Sequence, residues 1–132
     1  MTEAFEGTWK LINSDNFDKY MESIGVSFIV RKAVEALKPN VIISRKGDDI
    51  CLTTESTFKT TNLNFCLGKE FSEKTADGRD AKTIITLDND VLCQVQKWDG
   101  KETSILREVK DDKMIVTCIM NDTKCVRTYE RV

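Results

Sequence analysis

The chain has 132 residues, 32% charged and 40% hydrophobic, with a net charge of −2. That balance supports one packed core and excludes a disordered chain, while charges of both signs lie interspersed and leave no basic field for nucleic acid. No apolar run approaches the ~20 residues that cross a bilayer as a helix, and the absence of histidine removes the commonest general base and a common metal ligand.

Five cysteines, Cys51, Cys66, Cys93, Cys118 and Cys125, are odd in number and lack CxxC spacing. Met1 to Glu6 carries neither the charged n-region nor the apolar h-region of a secretion signal. Together these lead us to expect a cytoplasmic protein whose thiols are reduced apolar fillers on strands, with no metal and no cofactor.

In chain order, Phe5–Ser14 reads as a first strand with Trp9 and Leu11 on one face. Asp15 is placed to cap a helix, and Asp18 suits its positive end. Phe17, Tyr20, Met21 and Ile24 then form the apolar stripe of a two-turn helix that Gly25 breaks. A second helix is expected from about Ser27 to Leu37. Its stripe is Val26, Ile29, Val30, Ala33, Val34 and Leu37, with Arg31, Lys32, Glu35 and Lys38 on or beside the opposite face, and Pro39 ends it. The helical segment thus covers about residues 15–37.

After Pro39, turn signals recur about every ten or eleven residues: Gly47, Gly68, Asp77-Gly78, Asp88-Asn89-Asp90, Asp99-Gly100, Asp111-Asp112 and Asn121-Asp122. The link near Ser56-Thr57 lacks a glycine and is the weakest of these signals. Strands are expected at 39–45, 49–55, 58–67, 69–75, 79–88, 91–98, 102–110, 114–120 and 123–132, ten with the first. No helix follows Pro39 to make a crossover, so the fold class is mainly β, a ten-stranded antiparallel up-and-down barrel with a helix-turn-helix lid between its first two strands. One domain spans residues 1–132. Eight strands are just filled by their own side chains, so ten leave a cavity.

Alternation assigns an inner face. It takes Val41, Ile43, Leu52, Thr54, Lys59, Thr61, Leu63, Phe65, Glu73, Thr83, Ile85, Gln94, Gln96 and Trp98. It continues through Thr103, Ile105, Arg107, Met114, Val116, Cys118, Met120, Cys125, Arg127 and Tyr129. Ile84, Leu106, Ile115 and Ile119 fall on the other face, so the pattern is not clean. Two arginines and a phenol among aliphatic residues make a carboxylate receptor, because a buried guanidinium demands compensation and binds carboxylates in a charge-assisted, often bidentate way. A carboxylate with a long apolar tail suits this lining.

The same residues resemble a known family. Gly7-Thr8-Trp9-Lys10-Leu11 through Asn16-Phe17-Asp18-Lys19-Tyr20-Met21 is similar to the N-terminal fingerprint of the cytosolic fatty-acid-binding proteins, in their heart, adipocyte, brain and myelin branch. Lys38-Pro39, Thr54 to Thr61, Thr75 to Arg79, Gln96 to Thr103 and Arg127 to Glu130 extend the match over the whole chain. The resemblance implies one internal fatty-acid site. Arg107, Arg127 and Tyr129 match its carboxylate anchors, and Phe58 matches an aromatic gate at the portal. Lys59, Ala76, Asp77 and Arg79 match the portal loops. Phe17, Tyr20, Met21, Val26, Val34, Pro39, Thr54, Ile105, Val116 and Cys118 match residues along the acyl chain.

The chain departs from many relatives at Val34-Glu35, where they carry Gly-Asn. A residue other than glycine inside a helix firms it by up to ~1 kcal/mol. Glu22 stands where some relatives carry lysine, which weakens any basic patch for nuclear import. The expected function is a non-enzymatic monomeric carrier of one long-chain fatty acid, with no nucleic-acid partner, touching membrane surfaces transiently through its lid. Arg31, Lys32 and Lys38 could meet anionic head groups there or simply be a solvated face. A retinoic-acid carrier is the alternative. A small barrel enzyme is remote, since there is no histidine, no GxSxG and no paired carboxylate on the expected inner face. A membrane-stacking structural protein would need a strongly basic surface, against the net charge of −2.

Overall fold

The computed structural model describes residues 2–57 and 59–132. Phe58, the expected portal gate, lies outside the described residues. After a 3-10 turn at Glu3–Phe5 come β1 (Gly7–Asp15), α1 (Phe17–Ser23) and α2 (Phe28–Glu35). The other strands are β2 (Asn40–Lys46), β3 (Asp49–Glu55), β4 (Thr60–Phe65), β5 (Phe71–Lys74), β6 (Asp80–Asp88), β7 (Val91–Trp98), β8 (Lys101–Lys110), β9 (Lys113–Met120) and β10 (Thr123–Arg131). All ten strands share one antiparallel sheet in the order β4-β3-β2-β1-β10-β9-β8-β7-β6-β5. The barrel is nearly closed. Its outermost strands, β4 and β5, approach through the Phe65 and Phe71 rings, stacked 5.9 Å apart, and the intervening loop is tied to β6 by Gly68 N–H donating to Ile85 O at 2.8 Å.

Burial follows the expected alternation. Met114, Val116, Cys118 and Met120 are buried along β9, as are Cys125, Arg127 and Tyr129 along β10. Asn or Asp takes the left-handed conformation at Asn89, Asp90, Asp99, Asp111, Asp112 and Asn121, which closes the tight hairpins that the twist of paired strands requires. The link without glycine closes differently: Ser56 Oγ donates to Lys59 O at 2.9 Å and accepts from Lys59 N–H at 3.1 Å.

At the end of β1 remote from the helices, Trp9 is fully buried and its indole donates to Phe5 O at 2.8 Å. Arg131 lies over the Trp9 ring at 4.2 Å and donates to Glu6 O and Ala4 O. Gly7 has φ +125, a conformation that strains any residue with a β-carbon, and it lies directly against Arg131 Nη1.

The lid departs from expectation in several ways. Asp15 does not cap α1; it is the exposed last residue of β1. Asn16 takes the left-handed turn into the helix, and its side chain donates to Lys124 O at 2.9 Å, docking α1 on β10 instead of capping it. Ser27 caps α2, accepting from Val30 N–H. Within α2, Ile29 is 81% exposed and Ala33 is also exposed, so only Val30 and Val34 of the helix proper keep the expected inward stripe. Arg31 is turned toward α1, where its guanidinium pairs with Asp18 Oδ1 at 3.0 Å and donates to Val26 O. That interhelix clamp rotates the helix away from the frame its apolar residues alone suggest. Strands β4 and β5 are shorter than expected, and Phe5 belongs to the 3-10 turn.

Tyr20 fixes the lid to the wall. Thr103 Oγ1 donates its one proton to Ile119 O at 2.6 Å, so the Tyr20 hydroxyl, 2.8 Å away, donates to Thr103. Tyr20→Phe removes that bond and is expected to lower stability by about 1 kcal/mol, with faster amide exchange in α1. Unchanged exchange there would show that packing alone holds the helix.

Candidate ligand-binding site

Inside the barrel lies a cavity of ≈ 240 Å³. The lid contributes Phe17, Tyr20, Met21, Val26 and Val34 to its lining, and the wall contributes Pro39, Thr54, Ile105, Val116 and Cys118. Lys59, Ala76, Asp77 and Arg79 line it from the connecting loops, and Arg107, Arg127 and Tyr129 from β8 and β10. Every expected site residue among the described ones therefore faces this one space.

Register explains how the two arginines meet. Arg107 of β8 and Arg127 of β10 both pair with Val116 of the strand between them. They sit at one level of the wall, roughly 10 Å apart at their α-carbons for two strand spacings. Tyr129 follows two residues after Arg127 and points the same way. The other side of Arg127 is set by an irregularity in β1, where the pairing passes from Leu11↔Tyr129 to Asn13↔Thr128 and skips Ile12. This bulge reverses the parity of β1 and brings Ser14 opposite Arg127, whose Nη1 donates to Ser14 Oγ at 2.9 Å. Phe17 stacks under the same guanidinium at 3.8 Å.

Arg127 is 7% exposed, and Arg107 is enclosed by protein, its remaining surface facing the cavity. Neither forms an ion pair with a carboxylate among the described residues. Arg107 donates from Nη1 to Gln94 Oε1 at 2.7 Å. Burial lowers its pKa from the ordinary arginine value, since removing a guanidinium from water disfavours the charged form. Two cations thus stand inside the barrel with neutral partners only. The Tyr129 hydroxyl has no hydrogen-bond partner among the described residues and is free to donate into the cavity. Burial raises the Tyr20 phenol, keeping it a donor. A hydrogen bond from Cys125 holds the Cys118 thiol below its ordinary value, and the same contact raises Cys125.

A polar wall runs from this anchor to the loops. Glu73 Oε1 accepts from Gln94 and Gln96, both at 3.1 Å, and from Thr83 at 2.8 Å. Gln96 in turn accepts from Arg79 at 3.1 Å, and Arg79 grips Asp77 in a fork of 2.7 and 3.0 Å while lying 4.4 Å over Trp98. Alternation had put Leu52, Thr61, Leu63, Glu73, Gln94 and Gln96 on the inner face without marking them as site residues, although all line the cavity. Ile24 and Leu37 carried a signal in the helix stripes. Ser56, Lys74 and Thr75 sit at strand and loop ends, where alternation no longer sets a face.

A lidded barrel that encloses an apolar cavity with cations and a phenol in its wall defines a binder of small anionic ligands with an apolar body. The chain belongs to the lipocalin / cytosolic fatty-acid binding protein family, whose model matches residues 6–132. It is 54% identical to an adipocyte fatty acid-binding protein of Pygoscelis papua over 131 residues, 99% of each chain. Its structure is similar to fatty-acid-binding protein 1 of Echinococcus granulosus, with a TM-score of 0.96 and 42% identity over 98% of each chain. It is equally similar to a Schistosoma mansoni fatty acid binding protein in complex with arachidonic acid, with a TM-score of 0.96 and 38% identity over 99% of this chain and 98% of that one. Among the described residues no helix is long and apolar enough to cross a membrane.

The Asp77–Arg79 pair carries a pH signature. Burial alone would raise the Asp77 carboxyl, but the hydrogen bonds and charge of Arg79 hold it below its ordinary 3.8. A carboxyl whose folded-state pKa is lowered stabilises the protein above its unfolded value, and that stability is lost as pH falls through the folded value. Asp77→Asn should therefore reduce stability by about 1.5–3 kcal/mol near neutrality. Urea unfolding at decreasing pH should show the gap to wild type closing below 3.8; a gap independent of pH would contradict this role.

Proposed function

We propose that the protein is a cytoplasmic, monomeric, non-enzymatic carrier that holds one long-chain fatty acid inside the barrel. The observation that carries this reading is the pair of buried guanidiniums, Arg107 and Arg127, without carboxylate partners beside a cavity-facing Tyr129. A ligand carboxylate supplies the missing negative charge and accepts from all three side chains. The acyl chain runs past Phe17, Tyr20, Met21, Val26, Val34, Pro39, Thr54, Ile105, Val116 and Cys118. Lys59, Ala76, Asp77 and Arg79 border the portal. The named relatives, one of them in complex with arachidonic acid, support the ligand class.

Arg127→Gln should weaken fatty-acid binding by roughly 1.5–3 kcal/mol, the range for hydrogen bonds to charged groups. The empty protein should become more stable, because an uncompensated buried charge is gone. Isothermal titration with oleate and urea unfolding read the two effects; unchanged affinity removes Arg127 as the anchor. Competition between oleate and retinoic acid for a fluorescent probe decides between the fatty-acid carrier and a retinoid carrier.

Delivery to membranes through the lid completes the proposal. Phe28 and Ile29 are 62% and 81% exposed on α2, and the exposed Lys32 lies 5.4 Å over the Phe28 ring, while Arg31 stays turned to Asp18. Exposed apolar side chains beside a cation suit an anionic lipid surface. Ligand transfer should accelerate with vesicle concentration and anionic lipid content, and Phe28→Ser with Ile29→Ser should slow it several-fold. Rates that ignore the vesicles would leave aqueous diffusion as the route.

A further inference from the structure

Glu73 is an acidic side chain in a cavity otherwise suited to a carboxylate and an apolar tail. It stands on β5, half-buried, with its side chain in the cavity wall. Its two oxygens are used unequally. Oε1 accepts from Thr83, Gln94 and Gln96, while Oε2 has no hydrogen-bond partner among the described residues. No buried side-chain oxygen or nitrogen among the described residues is left occluded and unsatisfied, so Oε2 keeps accessible surface. A carboxylate has about four lone-pair sites, and those of Oε2 remain open.

The surrounding network holds that oxygen in place. Gln94 takes a hydrogen bond from Arg107 with its amide oxygen and gives one to Glu73 with its amide nitrogen. Gln96 does the same between Arg79 and Glu73. Neither amide can flip without losing both bonds, so the carboxylate is preorganised from two sides. Gln94 bridges Glu73 and Arg107, and all three side chains line one cavity, so the Glu73 carboxyl borders the space open to a ligand anchored at the arginines.

A plain methylene chain at this position removes water from an ionised oxygen and returns nothing. A hydroxyl on the chain would donate a short charge-assisted bond to it. We infer that Glu73 makes the site selective for hydroxylated acyl chains, with the hydroxyl part-way along the tail and donating to Oε2. This rests on the fatty-acid reading above and adds a second polar subsite to it.

The test compares stearate, the positional isomers of hydroxystearate and the methyl ether of each isomer, titrated into wild-type protein and Glu73→Gln. The ether accepts hydrogen bonds but cannot donate them, and its one extra methyl group is the same in both proteins. In the wild type, the best-placed hydroxy acid should bind about tenfold or more tightly than its ether, the lower end expected for a hydrogen bond to a charged group. In Glu73→Gln the amide oxygen can keep the bonds of Oε1 while an amide donor replaces Oε2, so the preference for alcohol over ether should vanish. The ratio is read within each protein, so a general effect of the substitution on acyl binding cancels. Equal binding of every alcohol and its ether by wild type overturns the inference even if the variant does not fold. So does a preference that survives in Glu73→Gln. Failure of stearate itself to bind wild type would instead overturn the fatty-acid reading.

Discussion

β1 meets β10 across nearly the whole length of the chain, with Trp9 opposite Arg131 and Asp15 opposite Val126. The remaining pairs join strands that are neighbours in sequence, each a local hairpin set by its turn except β1 with β2, which the helices separate, while β4 and β5 end the sheet without pairing. The seam alone converts two meanders into a barrel, and it bears the entropic penalty of closing a loop as long as the protein. Once it forms, the sheet acquires an inside, and the alternation of every strand takes on a meaning. The cavity, the level of the arginines and the footing of α1 on β10 all follow from that pairing.

The seam also carries a local irregularity with a chemical consequence. Skipping Ile12 leaves that residue 42% exposed and turns Ser14 toward Arg127. An unbroken β1 would have directed Asn13 to the interior and Ser14 outward. The bulge therefore supplies Arg127 with a neutral acceptor, which satisfies a donor without cancelling the charge. Arg107 is treated alike, with Gln94 in the place of Ser14. Each cation is held by a neutral group and kept available for an anion, at the expense of the stability that a carboxylate partner would have provided. Glu73, the acid within the same wall, reaches Arg107 only through Gln94.

The lid follows a different logic. α1 is fastened through Asn16 to Lys124, Tyr20 to Thr103 and the stacking of Phe17 on Arg127. α2 is fastened largely to α1 and the link between them, through Arg31 with Asp18 of α1 and Val26 of the link, and none of its residues is fully buried. A helix with few buried contacts lies toward the low-stability end of a fold. That leaves the more loosely held helix with Phe28 and Ile29 outward and Val34 lining the cavity.

The strands, their antiparallel order and the inner face of β7 to β10 were legible in the chain, because period-two alternation and Asn/Asp/Gly turns are local and each strand has one buried face. Arg107, Arg127 and Tyr129 stood out as charges on that face. The sequence could not orient α2, because its rotation depends on an ion pair to another helix rather than on its own apolar stripe, so Ile29 was assigned inward and is exposed. It misjudged Asp15 for a similar reason: a capping residue near a helix start is ambiguous when the strand before it runs on to pair with β10. The bulge at Ile12, the shared level of the two arginines beside Val116 and the bonds converging on Glu73 arise only from register between strands. Register depends on the closed barrel as a whole, so tertiary structure alone decided which of the polar side chains on the inner face became one site.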